Sequence, residues 1–498
     1  MDYLYICKKG TTMWNEMSNP AVLMRIGQRI KETRIRQHIT QEELATASGV
    51  SPLTVANIEK GKSVSLLLFI SVLRSLGLLE NLEQLVPEIR VSPIELKKLQ
   101  GKKRYRVRHL NKITMNDLIV DVKLWGESVG SLYWEKESNA ALFDYERKFI
   151  RSGLDISPII MPISQYRNTP YRFLENRTDC FKGLPGLFAD SLPDTFGNQI
   201  INEWFASKGL SGEEITPLDR LCYVGKRGMG ALEFEPSSPI NGMNESSVLH
   251  IEELTELAKS VFTDRMAFQV QLRQEGRNIL DILKVGTSAG GAKPKAIIAY
   301  NDITGEVRSG QVKAPEGFGY WLLKFDGGKY SEHTQITDNP QGIGNIEYAY
   351  HRMAKACGID MMECRLLQEK ESYHFMTRRF DRMEDGEKIH VQTLAGLAHY
   401  DRDQRHSYEE IFRIMRQMNL PYPEQEELYR RMVFNVMSRN HDDHSKNLSF
   451  LMDRQGKWKL APAYDLCYSY TPGGKWTNRH QLSLNGKQTI SRWKICKR

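Results

Sequence analysis

The chain has 498 residues, 40% apolar and 26% charged, with a formal net charge of +8. That length exceeds what one hydrophobic core serves and predicts about three folding units. A mean hydropathy of −0.48, no apolar stretch long enough to span a bilayer, seven cysteines without a C-x-x-C pair and no signal-peptide core over Met1–Lys9 predict a cytoplasmic protein with no membrane contact.

Residues 1–20 match no element. Over 21–88 the apolar positions Val22, Leu23, Ile26, Ile30, Leu44, Val55, Ile58, Leu66 to Leu73 and Leu76 recur at helical spacing. Thr40 followed by Glu43 is a capping-box pattern, Gly49 breaks the chain, and Ser51-Pro52 opens another helix that ends at Lys60-Gly61. Two short helices around a glycine turn predict a helix-turn-helix. An ordinary helical bundle is the bland alternative, but the register of Thr40 to Ala45, Gly49 to Ser51 and Ile58 to Gly61 resembles the phage-repressor type. The helix from Ser51 to Lys60 would then enter the major groove, with Thr54 and Asn57 toward base edges, Ser51 beside them and Gln41 toward a phosphate. Such domains usually bind operator DNA as homodimers.

Charge supports DNA at this end. Residues 1–112 hold 19 Lys and Arg against 10 Asp and Glu, a net of +9, while the remainder is at −1. The densest basic run, 97–108, lies in a linker expected over 89–115, which either follows DNA or is a solvated connector.

Strand-like runs at Leu118 to Val122 and Gly130 to Trp134 open a third region, 116–232, which later carries a helix from Phe196 to Lys208. Asp190 and Asp194 precede that helix and read as capping and turn residues rather than as catalytic acids.

Over 233–377 a run of small residues, Lys284 to Lys295, leads into an apolar strand. Backbone N–H groups around Ser288, Gly290 and Gly291 can approach phosphate oxygens there, and Lys295 adds charge; by itself such a run is often only a turn. Lys324 closes the apolar strand Tyr320 to Phe325 and needs an anion if buried. Glu347, on a helix over Asn345 to Gly358, is either its partner or an exposed acid.

The last region, 378–498, carries Asn440-His441-Asp442-Asp443-His444-Ser445-Lys446-Asn447, with Asp465 eighteen residues beyond. Protein kinases place an Asp, an Asn five positions on and a downstream Asp in this way, to take the acceptor proton and to hold Mg²⁺. His441 and His444 could instead be metal ligands. That reading explains neither the small-residue run nor Lys324, whereas the kinase reading accounts for all of them in order.

These segments, with Arg379-Phe380-Asp381-Arg382 and Pro462 to Leu466, resemble the HipA-type serine/threonine kinases, toxins of bacterial toxin–antitoxin pairs, over roughly 117–490. The resemblance implies a two-lobed kinase using ATP and Mg²⁺. In it Asp442 is the catalytic aspartate, Asn447 and Asp465 are the metal ligands, Lys324 is the ATP-phosphate lysine, and Arg378, Arg379 and Phe380 form the adenine-side hinge. Ser288 falls where some members autophosphorylate, and the family suggests a protein substrate such as a translation factor or an aminoacyl-tRNA synthetase. A HipB-like antitoxin is usually a separate chain and here looks fused in front. The expected fold is an all-α helix-turn-helix domain followed by an α+β two-lobed protein-kinase-like fold with an extra N-terminal subdomain. Only 33 residues follow Asp465, so a shortened C-lobe is expected, and a DNA-binding regulator with a degenerate kinase-like partner domain is the alternative reading.

Overall fold

A computed structural model describes residues 17–82, 92–98, 118–207, 215–237, 246–263, 277–286, 293–327, 329–332, 335–338 and 341–489. The chain divides into two compact units, 1–90 and 91–498.

The first unit is helical: Asn19–Arg36, Gln41–Ser48, Pro52–Glu59 and Leu66–Ser75. The Thr40–Glu43 capping box forms in both directions, at 3.2 and 2.7 Å, and Gly49 ends its helix with φ +65°. Ser51 caps the next helix by accepting from Thr54 N, with Pro52 at its first position. Ile30, Leu44, Val55, Ile58, Val72, Leu73 and Leu76 form the core. At Gly27 a Cβ would lie 2.2 Å from the Ile58 carbonyl oxygen, so glycine lets the first helix lie against the third. Beside that contact Arg34 grips Glu59 at 2.5 and 3.1 Å in a buried pair.

In the second unit β1 (Ile119–Leu124), β2 (Glu127–Glu135), β3 (Ala140–Tyr145) and β4 (Leu232–Glu235) form an antiparallel sheet in the order β3-β2-β1-β4. The boundary expected at 232 therefore falls inside β4. A second antiparallel sheet is built from β5 (Val248–Leu249), β6 (Lys295–Asn301), β7 (Val307–Ser309), β8 (Phe318–Lys324), β11 (Cys364–Glu369) and β12 (Ser372–Arg378), in the order β11-β12-β8-β6-β7-β5. A hairpin of β9 (Lys329–Glu332) and β10 (Gln335–Asp338) interrupts that succession. The remaining strands, β13 (His390–Thr393), β14 (His406–Ser407), β15 (Ser449–Met452), β16 (Trp458–Leu460) and β17 (Leu482–Ser483), lie among the helices Leu394–Ala398, Tyr408–Gln417 and Tyr422–Ser438.

Residues 118–237 are not a separate bead. Their sheet shares one apolar core with the C-terminal helices: Leu132, Phe143 and Phe188 join Leu397, Ile411, Met415 and Phe450. Their helix Thr195–Ser207 buries Phe196, Ile200 and Ile201 among Ile298, Trp321 and Leu323 of the six-stranded sheet. The subdomain thus packs against both the C-terminal helices and the six-stranded sheet. Burying those faces in lobe contacts removes apolar surface that would otherwise meet water.

Candidate active site

Lys324 is the last residue of β8, and its ammonium lies 2.6 Å from Glu347 and 2.5 Å from Asp465. Glu347 reaches it from the helix Ile343–Ala356 and is buried. Of the two readings open for Glu347, the paired one is the observed one. Burial works against the Lys324 charge, but the carboxylates of Asp465 and Glu347 outweigh it and raise its pKa. Burial likewise disfavours the Asp465 anion, and Lys324 more than compensates, so its pKa falls below the usual value. Asp465 adopts φ +54°, uncommon for a residue with a Cβ, which marks the sharp turn after Tyr464.

The 440–447 loop follows the helix Tyr422–Ser438. Asn447 closes it by donating Nδ2 to the Asp442 carbonyl oxygen at 2.8 Å. Asn440 joins the two halves of the site: its Nδ2 reaches the Asp465 carbonyl oxygen at 3.5 Å, and Ser469 Oγ donates to its Oδ1 at 3.1 Å. The Tyr464 hydroxyl donates to the Lys446 carbonyl oxygen at 2.8 Å. The Asp442 carboxylate stays 40% exposed and can be reached by an incoming hydroxyl. Asp443 beside it is buried and structural, holding Tyr408, His480 and the Gln481 N–H at 2.8, 3.1 and 2.8 Å.

The two histidines do not converge. His441 Nδ1 meets the Thr477 carbonyl oxygen at 3.1 Å, and His444 Nδ1 accepts from the Lys446 N–H at 3.2 Å. Among the described residues no three His, Cys, Asp or Glu side chains gather as a metal cluster. Asn447 and Asp465 offer only hard oxygen donors, which suits Mg²⁺.

Several expected phosphate and hinge residues are placed differently. Ser288, Gly290 and Gly291 lie outside the described residues. Lys295 is the first residue of β6, directly opposite Lys324 on the next strand, and it pairs with buried Asp194 at 3.2 Å. Asp194 caps the helix Thr195–Ser207, its Oδ1 accepting from Gly197 N at 2.6 Å. Burial, only partly offset by Lys295, pushes its carboxyl up to about 6. The Arg379 guanidinium is buried. It grips Asp381 at 2.7 Å through two nitrogens and donates to the Gly310 carbonyl oxygen, while its backbone N–H donates to Tyr320. Its side chain is thus spent on the fold, because a buried carboxylate between two arginines outbids a solvent-facing contact. Arg378 is half-exposed beside Glu384 at 3.0 Å, and the Phe380 ring sits 5.6 Å from that of Tyr464.

In the helical unit Ser51 Oγ and Thr54 Oγ1 are 2.9 Å apart, and Asn57 lies on the same helix, partly exposed. Gln41 departs from expectation: its side-chain N–H₂ donates to Glu59 at 2.6 Å.

Sequence reasoning missed Trp476, whose indole N–H donates to Asp442 Oδ1 at 2.8 Å. It also missed His399, whose Nε2 accepts from the Gly186 N–H at 2.9 Å and ties the subdomain to the C-terminal lobe. No motif spacing marks either residue.

Against known families, residues 120–235 match the HipA N-terminal domain, 287–497 the HipA-like C-terminal domain, and 30–79 a helix-turn-helix domain. The chain joins both HipA domains to a helix-turn-helix. The HipA-type part is similar to a Haemophilus influenzae protein provisionally named a kinase, at 29% identity over 138 residues, 25% of this chain and 40% of that one. It is also similar to the Sinorhizobium fredii protein Y4dM, another provisionally named kinase, at 26% over 163 residues, 30% of this chain and 37% of that one. The chain therefore spans about two fifths of the length of these curated relatives. In fold it is similar to a chain of the Shewanella oneidensis MR-1 complex of HipA, HipB and operator DNA. That match has a TM-score of 0.51 and 18% identity, covering 74% of this chain and 80% of the other.

Proposed function

We propose that the second unit of this HipA-type chain is an ATP- and Mg²⁺-dependent serine/threonine protein kinase, the toxin of a toxin–antitoxin system. The helix-turn-helix would be its fused, HipB-like operator-binding part. The observation that carries this reading is the Lys324 ammonium bridging Glu347 and Asp465, with the Asp442–Asn447 loop tied to the Asp465 turn through Asn440. A nucleotide phosphate would take the place at Lys324 that Asp465 now holds, with Glu347 keeping the ammonium in position. Asn447 and Asp465 would hold Mg²⁺, which supplies charge neutralisation on the phosphates. Asp442 would accept or orient the proton of the substrate hydroxyl.

The substrate in this reading is a protein, such as a translation factor or an aminoacyl-tRNA synthetase, met in the cytoplasm. A homodimer through the helix-turn-helix would present two copies of the Ser51–Lys60 segment to two half-sites. Purified protein incubated with Mg²⁺ and γ-labelled ATP tests the kinase. Transfer should be seen in the wild type and abolished in Asp442→Asn, with ATP still bound. Undiminished transfer in that variant would remove Asp442 from the role.

A further inference from the structure

We propose that Trp476 is a positioning residue that orients the Asp442 carboxylate toward the acceptor hydroxyl, a role that rests on Asp442 being the proton acceptor. The segment 469–481 wraps the loop along four successive residues. Ser469 Oγ donates to Asn440 Oδ1 at 3.1 Å and accepts from the Asp442 N–H at 2.9 Å. The Thr477 carbonyl oxygen meets His441, and His480 with the Gln481 N–H holds Asp443. Gln481 also donates to the Trp476 carbonyl oxygen at 2.8 Å, which holds the backbone that carries the indole.

Within this strap the indole N–H donates to Asp442 Oδ1 at 2.8 Å. His444 lies on the same side: its Nδ1 accepts from the Lys446 N–H, and its Nε2 is 3.7 Å from Oδ1. A carboxylate's terminal torsion is broad and two-fold, so an unrestrained Asp442 would present either oxygen. The indole bond occupies Oδ1 and leaves Oδ2 to meet the acceptor hydroxyl. The contact joins residues 34 positions apart and leaves the Asp442 carboxylate 40% exposed.

The test uses the full chain. Trp476→Phe keeps the ring and deletes the donor. It should lower kcat about ten-fold, the worth of one hydrogen bond to a charged group, while KM for ATP is unchanged; Trp476→His, which restores a ring N–H, should recover part of the loss. In ¹H–¹⁵N spectra the Trp476 indole resonance, assigned by its loss in Trp476→Phe, should move in Asp442→Asn while the other tryptophans stay. An unmoved indole, an unchanged kcat or a higher kcat in Trp476→Phe overturns the proposal, the last marking Trp476 as a block. If the wild type transfers no phosphate, the kinase reading itself falls and takes the positioning role with it. Transfer by the wild type with full activity in Asp442→Asn overturns the positioning role while the kinase reading stands.

Discussion

Lys324 and Asp465, 141 residues apart in sequence, form a direct ion pair at 2.5 Å that links the six-stranded sheet to the loop after Tyr464. Glu347 completes the group from a helix at 2.6 Å. Lys324 and Glu347 are largely shielded from water and would each be costly to bury unpaired, so the pairing stabilises both.

Glu347→Gln should therefore leave Lys324 drawn to Asp465 alone and compete with its use on a nucleotide. ATP affinity, measured by titration with and without Mg²⁺, should fall by about ten-fold, on the scale of one charge-assisted contact. Unchanged affinity would make Glu347 a purely structural acid.

Asp381 offers a stability test. It is fully buried and contacted by both Arg379 and Arg382 at 2.7 Å, and the Gly230 N–H donates to it at 2.8 Å. Burial disfavours its anion, but the two guanidiniums outweigh that and hold its carboxyl well below the usual range. Asp381→Asn leaves two buried cations unmatched and should cost about 3–5 kcal/mol, read as a lowered denaturation midpoint. Because the folded pKa is depressed, this contribution is present above the unfolded value near 4 and is lost as pH falls below it. A midpoint within error of wild type would refute the assignment.

His399 predicts a second acid sensitivity at higher pH. Burial lowers its pKa from 6.5 to about 4, and its Nε2 must stay unprotonated to accept from Gly186 N. The sign is that of a depressed pKa: the stability is present above pH 6.5 and is lost as pH falls toward 4. The full effect is roughly 3 kcal/mol. His399→Gln should flatten the fall in thermal midpoint between those pH values, and an equally steep fall in that variant would point elsewhere.

For DNA, the full chain should shift its own promoter fragment, with log K falling by roughly 0.9 per phosphate contacted for each decade of salt. Asn57→Ala should weaken operator binding more than binding to random DNA. Equal losses on both would make Asn57 a backbone contact.

Ser288 carries a prediction of the kinase reading. Phosphopeptide mapping after incubation with ATP should find label on Ser288, where about −1.5 to −2 charges would repel a nucleotide's phosphates. Label confined to other sites in an active enzyme would end the idea.

What the sequence determined by itself is what depends on near neighbours. The Thr40–Glu43 capping box, the Gly49 turn, the helix opened by Ser51-Pro52 and the loop closed by Asp442 and Asn447 all act within five residues, so spacing alone specifies them. The motif order was legible for the same reason, as was the helical spacing that places Glu347 on a helix. Which face that helix turns to Lys324 depends on packing 23 residues away. Only the tertiary structure took Lys295 from the turn to Asp194, gave the Arg379 side chain to Asp381 and the Gln41 amide to Glu59. Each of these polar groups had more than one available partner, and burial selected the one that satisfied its charge. The Trp476 contact with Asp442 and the His399 contact with Gly186 have no local signal at all, because they join segments that come together only after the core has packed.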